Sequence, residues 1–124
     1  MAAPNLVNTS TITGKVAYVS LSGTTATSLL SNAASSGKVY KVEQIIVANI
    51  DTSSAVNVTV NYYSAASLGG TAYPICSTVA VPANASLIVL DKTTGIYLEE
   101  DKSIGVTAGT ANKLTVTCTY EELY

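Results

Sequence analysis

The chain has 124 residues, a formal net charge of −2 and only 11% charged side chains, against a 48% hydrophobic share. That length suits a single domain with its own core. Six scattered lysines cannot make the basic stripe that nucleic acid requires, so nucleic-acid binding is excluded as an expectation.

The missing residue types narrow the chemistry further. There is no His, so the chain lacks the usual proton-transfer group near neutral pH and the commonest metal ligand. There is no Arg, and with it goes the two-pronged donor that grips phosphate and carboxylate. A Ser-His-Asp triad cannot form within one chain, and no Gly-rich phosphate cradle occurs. The expectation is a protein that is not an enzyme, with no catalytic residues, cofactor or metal. Polarity comes instead from 17 Thr and 14 Ser. Together with Val, Ile and Tyr these residues suit a pleated sheet.

In chain order, residues 1–14 are Asn- and Thr-rich with little periodicity and read as an extended N-terminal arm ahead of one domain, 15–124. KVAYVSL (15–21) reads as the first strand. Residues 22–38 read as a long polar connection anchored by Leu29 and Leu30. VYKVEQIIVANI (39–50) is a β-branched strand ended by the turn DTSS. VNVTVNYY (56–63) gives the clearest signal. Val56, Val58, Val60 and Tyr62 share one face while Asn57, Thr59, Asn61 and Tyr63 share the other, as in a half-buried antiparallel strand.

SLGG (67–70) is the next turn, and TAYPICSTVAV (71–81) a strand whose Pro74 suggests an edge or a bulge. SLIVLD (86–91), IYL (96–98), SIGVTAG (103–109) and KLTVTCTY (113–120) complete the strands, with KTTG, the acidic EED and TAN as turns. In the last strand Leu114, Val116, Cys118 and Tyr120 face inward. Seven or eight short strands punctuated by turns predict an all-β antiparallel sandwich of jelly-roll type.

The acidic triplet Glu99-Glu100-Asp101 invites a functional reading. Neighbouring residues on an extended chain point to opposite faces, so Glu99 and Glu100 do not converge, and the spacing fits neither a glycosidase pair nor a calcium loop. The expectation is a solvated hairpin tip. Of the eight tyrosines, Tyr18, Tyr40, Tyr62, Tyr97 and Tyr120 read as core or rim residues. Tyr63, on the polar face with Asn57, Thr59 and Asn61, reads as ordinary surface, a subunit contact or a sugar platform. Cys76 and Cys118 lack metal-like spacing and read as buried free thiols. Asn-x-Ser/Thr triplets at Asn8, Asn57 and Asn84 read as chance products of a Ser/Thr-rich chain, since no secretory signal precedes them and no apolar run nears membrane-spanning length.

SSGKVYKVEQIIVANID (35–51), VTVNYY (58–63), STVAVPANASLIVLDKTTGIYLEEDKSI (77–104) and TCTYEEL (117–123) resemble small virion structural proteins of tailed bacteriophages, notably cyanophages, over roughly residues 29–123. Asp101 stands where these proteins usually carry Gly after the double Glu. The resemblance implies a location in the virion after synthesis in the host cytoplasm, with no membrane. It implies a capsid decoration or cement protein, favoured as a homotrimer, whose partner is the major capsid protein or another virion protein. A neck, tail or fibre-base component is the alternative, and a carbohydrate-binding module a further one. On this reading the interface residues are Leu6, Val7 and Ile12 of the arm, able to add to a neighbour's sheet edge, with Asn57, Thr59, Asn61 and Tyr63.

Overall fold

The computed structural model describes residues 4–124, and every regular element among them is a strand. These are β1 (Ile12–Ser20), β2 (Thr27–Asn32), β3 (Val39–Asn49), β4 (Val56–Ala65), β5 (Gly69–Val81), β6 (Ser86–Leu90), β7 (Ile96–Leu98), β8 (Lys102–Ala108) and β9 (Leu114–Leu123). All pair antiparallel. One sheet runs β1-β9-β3-β6 with β7 also on β3, and the other runs β2-β8-β4-β5. We call them sheets A and B. Only β4 and β5 follow each other within a sheet as neighbours; most other connections cross between the layers. With β6 and β7 taken as one interrupted strand, the order is consistent with the jelly roll expected from the sequence.

The core lies where the two inner faces meet. β4 contributes Val56, Val58 and Val60, β3 contributes Val42, Ile45 and Val47, and β9 contributes Leu114, Val116 and Cys118. Leu29 and Leu30 join this cluster, as does Tyr120, whose ring lies 5.2 Å from that of Tyr40. Each fully buried Val or Leu contributes about 1.5–3 kcal/mol. Three buried polar side chains tie loops to this core. Asn49 donates to the carbonyls of Ser54 and Val81, and Asn32 to those of Lys38 and Leu98. Ser103 donates to the Ala65 carbonyl and accepts from the Leu68 N–H.

Several boundaries differ from the sequence reading. The supposed connection 22–38 contains β2, where Leu29 and Leu30 are buried as expected but lie in a strand. Its Ser and Thr content hid it, because only two side chains advertise the core. β1 begins at Ile12 and pairs residue for residue with β9, which runs on to Leu123. The expected arm is therefore not free over its last part. Thr11 and Tyr124 also exchange backbone hydrogen bonds, at 2.7 and 3.0 Å. Before them, Asn5 closes a turn by accepting from the Val7 N–H on its side chain and from the Asn8 N–H on its carbonyl. Residues 1–3 of the expected arm lie outside the described residues.

The hairpin expected at the acidic triplet is not one, and the turn at KTTG does not reverse the chain. β6 and β7 both pair with β3, so residues 91–95 form a loop bulging out of one continuing edge. Asp91 organises that loop by accepting from the Thr93 N–H at 2.9 Å. Gly95 is required there, since a Cβ would sit 2.9 Å from the Val42 carbonyl oxygen. β7 belongs to sheet A and β8 to sheet B, so Glu99–Asp101 crosses between the layers.

Candidate interaction surface

The residues singled out in the sequence fall into separate patches. Leu6 and Val7 sit in the exposed turn before β1, and Ile12 opens β1 opposite Leu123. Asn57, Thr59, Asn61 and Tyr63 lie on the outer face of sheet B. The structure does not bring the two groups together.

The sheet B group is also less open than its polarity suggested. Residues 66–68 fold back over this face, holding the Ser67 N–H on Ser31 Oγ at 2.9 Å and the Leu68 N–H on Ser103 Oγ at 2.9 Å. The Leu68 side chain and the Tyr63 ring both lie against Gly105. Tyr63 and Asn61 are half-buried, and Asn61 Oδ1 is a buried acceptor with no partner. Thr59 Oγ1 accepts from the Thr78 N–H at 2.9 Å, at a bulge in β5 where Thr78 has φ 51°. Thr59 therefore shapes an edge strand. Asn57 alone of this group is exposed.

The acidic triplet acts on neighbouring loops. Asp101 Oδ1 accepts from the Ala66 N–H at 3.1 Å, and Glu100 Oε2 from the Gly37 N–H at 3.3 Å. Among the described residues no three His, Cys, Asp or Glu side chains group to hold a metal. Cys76 is half-buried and Cys118 buried, both as free thiols. Burial pushes the Cys118 thiol up to about 12, so it remains protonated and unreactive.

One end of the sandwich carries a charged lock. Glu122 follows the inward phase of β9 and is buried, with its two oxygens receiving Lys15 Nζ at 3.1 Å and Lys38 Nζ at 3.3 Å. Burial alone would raise its pKa; the two ammonium groups outweigh that and hold the carboxyl below its ordinary value. The Lys38 ammonium also sits 5.1 Å from the centre of the Tyr124 ring.

The surface that the sequence reading missed is the outer face of sheet A. Pairing across the strands builds one row from Tyr18, Thr117, Ile46 and Ile88. A second row is Val16, Thr119 and Gln44, and a third is Ser20, Thr115, Ala48 and Ser86. These central rows contain no charged side chain. Tyr18 is 80% exposed, Ile88 58% and Val16 55%. Charge lies at the borders: Glu43, Asp91 and Lys92 line a pocket with Gln44 and Thr119 at the end of the second row, and in the row beyond Glu121 faces Lys41. The central rows, uncharged and built of apolar and hydroxyl groups, have the composition of a contact surface's centre, where charge is depleted and Tyr enriched. Tyr18 was expected in the core or rim. Its strand is apolar on both faces, with Ala17, Val19 and Leu21 alternating against Val16 and Tyr18, so alternation could not say which side faced in.

No protein-family model matches the chain, and no curated protein matches it. Its fold is similar to that of a solved chain from Bacillus endospore appendages, described as forming disulfide-linked pili. The identity there is 16%, with a TM-score of 0.52 over 99% of this chain and 96% of that one. Looser likenesses run to the cyanophage Pam1 capsid asymmetric unit, with 14% identity, a TM-score of 0.39, and coverage of 99% and 91%. Another is to infectious bursal disease virus, Gx strain, with 8% identity, a TM-score of 0.34, and coverage of 90% and 41%. At these identities the first likeness speaks for the fold alone, and the other two carry no argument.

Proposed function

We propose that this protein is a non-enzymatic structural subunit of a phage virion, and specifically a decoration or cement protein that lies against the capsid shell. The sequence resemblance to virion structural proteins of tailed phages supports the setting. The observation that carries the role is the outer face of sheet A, with uncharged rows running through Tyr18, Thr117, Ile46 and Ile88. Such a face binds by buried area and hydroxyl hydrogen bonds, the economy expected of a clamp.

The test is a charge placed on that face. Thr117 and Ile88 are exposed and outside the core. Thr117→Asp with Ile88→Asp is expected to melt within a few degrees of the parent and to lose binding to particles stripped of this protein. Binding at parental stoichiometry would place the shell contact elsewhere.

A further inference from the structure

The sandwich has four edge strands, and three carry features that discourage pairing with another chain. β5 holds Pro74 and three register shifts against β4. β2 has six residues and a shift at Ser28/Leu30. β6 has five residues, a shift against β3, and then the bulging loop at 91–95. β1 has none of these. It runs nine residues in unbroken register with β9. Its one charge, Lys15, is directed inward onto Glu122.

Hydrogen-bond phase says which groups of β1 are free. Thr11 exchanges both backbone bonds with Tyr124, and the Leu21 N–H donates to the Leu114 carbonyl. Antiparallel pairs alternate between bonded and non-bonded, so the odd-numbered residues between them are spent on β9. The N–H and C=O groups of Ile12, Gly14, Val16, Tyr18 and Ser20 therefore aim at the open edge. The same residues point their side chains to the outer face of sheet A.

We infer that β1 pairs with β1 of a second copy of this chain, antiparallel about a two-fold axis at Val16. That register sets Val16 against Val16 of the second copy, Gly14 against Tyr18 and Ile12 against Ser20, and it engages every free group named above. Gly14 has open space where a Cβ would be, and the second copy's Tyr18 ring fills it, as aromatic side chains cover edge glycines in sheets. Lys15 then faces Ala17. A register one residue shorter, centred on Lys15, would oppose two lysines, which is destabilising. One centred on Ala17 leaves Ile12 unpaired. The pairing joins sheet A of both copies into one continuous sheet and doubles the uncharged rows of its outer face. It stands apart from the proposed shell contact, because it uses the edge of the sheet. A strand pair alone falls short of the ~1,200 Å² of a standard interface, so the dimer is weak and concentration-dependent.

Sedimentation of the full chain over a concentration series, together with disulfide trapping, tests this. Val16→Pro removes an N–H that points away from β9, so the circular dichroism spectrum should be retained while the dimer is lost. Val16→Cys places two thiols in a bonded pair about 5.5 Å apart between Cα atoms, within disulfide reach, and should cross-link to a dimer on oxidation. In Tyr18→Cys the two thiols lie about 13 Å apart along the strand and should remain uncrosslinked at the same protein concentration. A chain that stays monomeric throughout with no cross-link for Val16→Cys overturns the inference. So does any oligomer, trimer included, that survives Val16→Pro in a folded protein. If Val16→Pro fails to fold, the contrast between the two cysteine variants decides.

Discussion

Glu122, near the end of β9, faces into the sandwich and takes Lys15 of the adjacent strand β1 at 3.1 Å. With Lys38 on its other oxygen, this carboxylate bridges β1, β9 and the start of β3 at the end of sheet A. Its pKa is depressed in the folded chain, so its contribution is present above the ordinary value of 4.5 and is lost as pH falls through the lower folded value. The melting temperature should therefore drop in acid below about pH 4.5. Glu122→Gln should cost about 1–2 kcal/mol at neutral pH and flatten that acid dependence. An unchanged acid limb in Glu122→Gln would assign it to other carboxylates. Lys15 is shifted the opposite way, upward from 10.5, so its share is lost only above that alkaline value.

Asp101 takes the left-handed conformation, φ 56°, and its side chain accepts from the Ala66 N–H. Asp101→Ala loses the acceptor and keeps the backbone cost, for a loss of about 1–3 kcal/mol by thermal denaturation. Asp101→Gly relieves the backbone while losing the bond, and should fall between Ala and the parent. If Gly and Ala melt alike, the conformation carries no cost here.

Val60 is fully buried on the inner face of β4, and Val60→Asp should abolish soluble expression because an unpaired buried carboxylate costs several kcal/mol. Thr59, its neighbour, supports the β5 bulge through Thr78. Thr59→Val keeps the shape and should cost about 1 kcal/mol, read as a shift in chemical denaturation midpoint. Soluble, normally melting Val60→Asp would contradict the facing of this strand.

Much of this architecture was readable in the residues. The alternation of Val56, Val58 and Val60 announced a half-buried strand, and Leu114, Val116, Cys118 and Tyr120 did the same for β9. Pro74 marked an edge strand as expected. What failed to show was long-range. Local pattern cannot tell a reversal from a crossing between layers, so the acidic triplet reads as a hairpin tip although it links the two sheets. The Tyr63 face read as open because the Leu68 that tucks against it comes from a turn. β1 is apolar on both sides, so the face with Val16 and Tyr18 emerged only once β9 and β3 were laid beside it.

The proposed coat on a capsid shell is decided by the copy number of this chain in purified virions. A quantitative gel of intact particles, scaled to the major capsid protein, should give several hundred copies, in fixed proportion to the shell subunits. A few to a few dozen copies per particle would rule out a shell coat and place the protein in the neck, tail or fibre base, and none at all would remove it from the virion.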